Sequence, residues 1–287
     1  MPRYKLLIEY DGAGFRGWQV QRNARTVQGE LLQAARRLGA GEVDLQGAGR
    51  TDAGVHALGQ VAHLDIGTAM EPFRVAFGLN DHLPPEINVL SVERAHPRFH
   101  ARHHAEGRSY LYLISTRRSA FGCRYAWWIR DRLDLRRMQS AARCFQGFHD
   151  FVSFADRDLD PEASTTVDID EVQVEREQDL IVFRIAGSHF LWKMVRRIVG
   201  VLAEVGRGRL SESEIAAWLA APSPQPVHGR PERGRSTPSW SRPSGRVISA
   251  ITDARAYSID RTPTWPFWPE ISSTRSGFAV SPVSTTL

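Results

Sequence analysis

The segment Gly47-Ala48-Gly49-Arg50-Thr51-Asp52-Ala53-Gly54-Val55-His56-Ala57-Leu58-Gly59 gathers four glycines around one arginine and one acid. A loop of this composition is tight and lets backbone or ligand come close to the Asp52 carboxylate. It does not build a dinucleotide cradle, because the third glycine of the Gly-x-Gly-x-x-Gly pattern is replaced by Asp52, whose charge would face a pyrophosphate. The plainer reading of the same residues is a surface turn with a helix-capping aspartate. A second concentration of chemistry is His96, His100, His103 and His104. No cysteine or acid at a fitting spacing completes a metal site with them, so no metal is expected. Interleaved with Arg98, Arg102 and Arg108, they read instead as an edge that contacts RNA. Arg22, Arg25, Trp18 and Phe15 either extend that edge or, for the two aromatics, lie in the core.

These residues must be positioned by regular elements, and hydrophobic periodicity supplies candidates. Tyr4 to Tyr10 alternates as a strand, and Asp11-Gly12 with Gly14 and Gly17 then breaks it into a loop. Thr26 caps a helix with Val27, Leu31, Ala34, Ala35 and Leu38 on one side, and Gly39 stops it. Strands near Val43 to Gln46 and Gln60 to Ile66, a helix from Pro72 to about Leu83 and a strand from Ile87 to Arg94 complete a first half, residues 1–95. In a second half, residues 96–221, Ser109 to Ser115, Thr165 to Arg176 and Leu180 to Ala186 read as strands, and Asp134 to Phe145 as a helix. Phe190, Met194, Ile198, Val201, Leu202 and Val205 make one helical stripe, and Ser211 with Glu214 forms a capping box. The expected fold is α+β, in two similar halves.

The chain has 287 residues, 42% hydrophobic and 24% charged, which excludes a disordered, collagen-like or disulfide-dense chain. No apolar run approaches a bilayer span and no signal peptide is evident. With only Cys123 and Cys144 and no CxxC pair, neither a disulfide framework nor a cysteine-rich zinc site is encoded, and a cytoplasmic location is expected. Residues 222–287 hold net +4 of the chain's +5, so charge alone does not establish an RNA partner. That tail also holds 10 of the 16 prolines and 12 serines without a periodic segment.

Taken in order, several of these stretches resemble the TruA-type tRNA pseudouridine synthases. Tyr10-Asp11-Gly12 through Phe15-Arg16-Gly17-Trp18-Gln19-Val20-Gln21 resembles the family's opening strand and loop, and Thr26-Val27-Gln28-Gly29 its first helix. The Gly47 to Gly59 loop is close to its catalytic signature. Phe99-His100-Ala101-Arg102, Arg108-Ser109-Tyr110-Leu111-Tyr112, His149-Asp150-Phe151 with Ser153-Phe154, and Met194-Val195-Arg196-Arg197-Ile198-Val199-Gly200 through Gly208 complete the match, over about residues 4 to 221.

The resemblance implies isomerisation of uridine to pseudouridine at positions 38–40 of the tRNA anticodon stem-loop, with no cofactor. It implies a pseudouridine synthase fold, two α+β halves with antiparallel sheets and flanking helices around a central cleft, in a homodimer whose two subunits share one anticodon arm. Asp52 is then the catalytic carboxylate, kept charged in a dry pocket by Arg50 and Arg196, with Tyr110 stacking on the extruded base and sharing in proton removal at C5. Without the resemblance, Tyr110 reads as a core tyrosine and Arg196 as a solvated helix charge. Gly200 lies one turn beyond Arg196 on the same side, and an interior helical glycine implies close approach of backbone or RNA. Arg16, Arg98, His100, Arg102 and Arg207 are the expected RNA contacts. The tail after Ala221 departs from the family's closing strand and reads as a frameshift product, or alternatively a foreign tail, mobile and dispensable for melting temperature. The rival readings are an RNA-binding protein of the same fold, catalytically impaired by loss of that strand, and a histidine-dependent metal hydrolase.

Overall fold

A computed structural model describes residues 1–39, 41–156, 164–223 and 248–250. Tyr4, Leu6, Ile8 and Tyr10 are buried along β1 (Arg3–Tyr10), whose alternation therefore has one inward face. β1 lies antiparallel between β3 (His56–Ile66) and β4 (Ile87–Ala95), and β2 (Val43–Gly47) pairs with β3. Thr26 accepts from Gly29 N at 3.2 Å and starts α1 (Val27–Leu38), which with α2 (Pro72–His82) covers that sheet. Together they enclose one core, from Tyr4 to Val89, that includes Trp18 and Phe15. The two aromatics whose place was open are thus core residues.

The second half is built likewise. β5 (Arg108–Ser115), β9 (Leu180–Gly187), β8 (Thr166–Glu177) and β7 (Gly147–Asp150) form an antiparallel run, with β6 (Ala126–Trp128) parallel to β5. α3 (Leu135–Ala142), α4 (Met194–Gly206) and α5 (Glu212–Ala220) pack with it around a second core. β6 and β7 were not foreseen, being too short for a period of two to declare itself. The expected helical stripe from Phe190 is shorter than the pattern suggested. Lys193 adopts φ +63°, a left-handed conformation that stops the helix from extending back past Met194, so Phe190 lies outside it.

The two halves join through β10 (Ile248–Ala250), parallel to β3 and antiparallel to β5, giving a sheet order β4-β1-β3-β10-β5-β9-β8-β7. Ser249 faces Ala57 on one side and Tyr110 on the other. This corrects the expectation that nothing after Ala221 supplies a strand. Residues 224–247 and 251–287, with most of the expected mobile tail and the proposed frameshift product, lie outside the described residues. Because β10 bonds to both halves, deleting residues after 225 should lower the melting temperature by several degrees, as differential scanning fluorimetry would register; an unchanged value would return the tail to the dispensable class.

Candidate active site

The Asp52 loop is held from below by the segment that follows β1. The Tyr10 hydroxyl lies 2.8 Å from Thr51 Oγ1, Trp18 N donates to Thr51 O at 3.0 Å, and Gly54 N donates to Phe15 O at 3.2 Å. Close packing of two backbones explains the glycines. A Cβ on Gly12 would lie 1.8 Å from Val55 O, and Gly17, at φ +97°, would place one 2.6 Å from Thr51 O. Val55, 4% exposed, belongs to the core of the second half although it is a residue of the first. Three residues after Asp52, it seats the loop against the opposite half and turns the carboxyl toward it.

From that half, α4 and the turn between β9 and α4 deliver the charges. Arg196, Lys193 and the Trp192 indole, which hydrogen-bonds the carboxyl, all favour ionised Asp52. Burial nonetheless pushes the Asp52 carboxyl above the usual carboxylate range, and Asp156 adds to the rise. Lys193 is itself ion-paired with Asp156 and sits 4.3 Å from the Trp192 ring centroid. The Arg50–Arg196 pair expected around Asp52 is therefore replaced by Arg196 and Lys193; Arg50 is exposed and is not among the groups that shift the carboxyl. Sequence reasoning missed Trp192 and Lys193, for which only adjacency to Arg196 offered a clue.

Tyr110 lies on β5 beside Asp52, half-buried, its ring edge-on to Phe190 at 4.8 Å between centroids. Burial pushes its phenol up to about 12, Arg108 opposing and Asp52 reinforcing the shift. At neutral pH the phenol keeps its proton, so its chemistry is that of a ring face and an O–H donor. Arg108 does not join an exposed edge: it donates to Ser188 O at 2.6 Å and to Ala48 O at 3.0 Å, tying β5 to the start of the Asp52 loop.

The remaining expected RNA contacts divide. Arg16, Arg98 and Arg102 are exposed and His100 is half-buried. Arg207 is not available in this way. Its side chain is 10% exposed, 2.6 Å from Asp131 and ion-paired with Glu204, so two acids already occupy the donors that a phosphate would need. In the histidine segment, Nδ1 of His63, His96, His100 and His104 accepts from Ala101, Arg98, Arg102 and His100 N respectively, at 3.0–3.2 Å. Each of these rings thus presents Nε2–H as a donor. Among the described residues no group of three or more His, Cys, Asp or Glu is arranged to hold a metal ion.

A model of the tRNA pseudouridine synthase family matches residues 6–103 and 141–233, which takes in the Asp52 loop, most of β1 and all of α4. The chain belongs to the tRNA pseudouridine synthase family. It is 43% identical over 226 residues to tRNA pseudouridine synthase A of Rhodopseudomonas palustris strain BisA53, covering 78% of this chain and 92% of that protein. The enzyme of the same name from Acetivibrio thermocellus is 41% identical over 244 residues, 83% of this chain and 96% of its own. A solved chain of a Cbf5-Nop10-Gar1 complex aligns at 11% identity and TM-score 0.33, over 70% of this chain and 45% of that one, and adds nothing to the assignment. As a pseudouridine synthase the chain is an isomerase, and the family match extends 12 residues beyond Ala221, where the resemblance read from motifs ended. No helix among the described residues is long and apolar enough to cross a membrane.

Proposed function

We propose that the chain converts uridine to pseudouridine at positions 38–40 of the tRNA anticodon stem-loop, with Asp52 as the nucleophile. The observation that carries this reading is the meeting of Asp52, from the loop before β3, with Arg196 of α4 and Tyr110 of β5. The isomerisation breaks the bond from C1′ to N1 and makes one from C1′ to C5; C5 loses a proton and N1 gains one, so no redox partner is required. Arg196 keeps the buried carboxylate charged against its desolvation. Tyr110 offers a ring on which the extruded uracil stacks. Arg50, exposed two residues before Asp52, is placed for the backbone of the flipped nucleotide rather than for the carboxyl. The working form is read as a cytoplasmic homodimer with one anticodon arm across both subunits; membership of the family supports this, and sedimentation with and without tRNA tests it. The direct test of function is incubation with unmodified tRNA transcripts and mapping of pseudouridine, with conversion confined to 38–40 as the expected result.

Arg16, Arg98, Arg102 and His100 supply the contacts that hold the arm. Binding should weaken linearly in log salt, and each of the three arginines changed to Gln should reduce the slope by about 0.7–0.9. Filter-binding titrations across salt concentrations read this, and an affinity indifferent to salt would contradict it.

Gly200 adds a marker for the path of the RNA. A Cβ there would meet nothing within 4 Å among the described residues, so no backbone among them is the reason for a glycine in mid-helix. RNA remains as the close neighbour. Gly200→Ala should stabilise the fold by about 1 kcal/mol through helix propensity. Its KM for tRNA should rise severalfold, and steady-state kinetics with a melting curve check these opposite signs.

A further inference from the structure

One carboxylate near the Asp52 loop has no part in the chemistry above. Asp11 Oδ1 lies 2.9 Å from His56 Nδ1 and accepts from Ala13 N at 2.8 Å, while Tyr125 O–H donates to Asp11 Oδ2 at 3.1 Å. The His56 and Tyr125 rings are 5.0 Å apart. The three residues come from three places. Asp11 opens the loop after β1, His56 is the first residue of β3, four beyond Asp52, and Tyr125 precedes β6 in the second half. The His56 side chain is only 5% exposed.

We propose that Asp11, His56 and Tyr125 form a clasp that positions the Asp52 loop against the second half, where Arg196 and Tyr110 lie. Asp52 is thereby bracketed. Before it, Tyr10 meets Thr51; after it, Val55 enters the core of the second half and His56 is fixed through Asp11 to Tyr125. A polar pair of this kind, with His56 buried and Asp11 half-buried, contributes little net stability compared with apolar packing, but it admits one geometry. The donation from His56 is the main reason that the Asp11 carboxyl lies far below the usual carboxylate range, helped by Ala13 N and Tyr125. It therefore stays ionised across the working pH range. None of the three is asked to touch the substrate: they are positioning residues. The inference rests on Asp52 being the reacting carboxylate.

The test is single-turnover pseudouridine formation on a tRNA transcript, with tRNA affinity and melting temperature measured on the same full-length variants. Tyr125→Phe should slow the chemical step about tenfold, since misplacing a reacting group costs rate before it costs binding. Affinity should stay within about twofold. His56→Asn, whose amide can donate where Nδ1 does, should retain several times the rate of His56→Ala. The Asp11→Asn and Tyr125→Phe losses should not multiply in the double variant, because both act through one carboxylate. Wild-type rates in Tyr125→Phe and His56→Ala would overturn the clasp. So would a fall of rate, affinity and melting temperature together, or losses that multiply. Asp52→Asn run in parallel separates the two ideas: residual turnover there defeats the catalytic reading, whereas a dead Asp52→Asn beside unaffected clasp variants defeats only the clasp.

Discussion

Asp52→Asn should reduce pseudouridine formation to below about one-thousandth of the wild-type rate while the tRNA dissociation constant changes only a few-fold. The amide keeps the shape of the carboxyl but loses the charge and the nucleophile. Binding should survive because Asp52 is the acid of a glycine-rich loop that RNA phosphates would repel, not attract. A second readout comes from stability. The folded pKa of Asp52 is raised by burial, so the protein favours its protonated form. The resulting cost is absent below the usual carboxylate range, grows as pH rises through the unfolded and then the folded value, and is constant above. Asp52→Asn should therefore melt higher than wild type at neutral pH, and the gain should vanish as pH falls. Retained turnover would end the assignment, and a lower melting temperature at neutral pH would mean that the surrounding cations outweigh the burial.

Arg196→Met should lower kcat/KM by about 10²–10³, the loss expected when a preorganised charge is taken from a dry site. Its signature is in the pH profile. Arg196 opposes the rise in the Asp52 pKa, so its removal lets burial push the carboxyl further up and shifts the acidic limb of kcat/KM to higher pH. The deficit should be largest in acid and should shrink as pH rises, and Arg196→Lys should recover part of it. A loss uniform in pH and matched by weaker tRNA binding would reassign Arg196 to a phosphate contact.

Much of the framework is legible in the linear chain, because local signals encode it. Burial alternates in β1 at the foreseen residues, α1 begins at the Thr26 cap, and Gly12 and Gly17 mark the loop that packs its backbone against that of the Asp52 loop. The family itself is legible in the order of the motifs, and the family match bears it out. What escaped is non-local. Nothing near residue 55 says that Val55 enters the core of the other half, and nothing near residue 11 says that its carboxylate meets Tyr125, 114 positions away. Lys193 rather than Arg50 faces Asp52 because a left-handed residue turns the chain just before α4. Arg207 is drawn inward by Asp131 and Glu204, one of them 76 positions distant, although its surroundings in sequence resemble those of an exposed arginine. The three residues of β10 lie in a segment without periodicity, and their place between β3 and β5 is decided by the unpaired backbone groups that those two strands offer. Sequence alone determined the longer elements and the glycine-rich loop that bears Asp52, since propensity and patterning act over a few residues. Tertiary structure decided which charges surround that carboxylate, since burial and ion pairing depend on neighbours that only folding brings together.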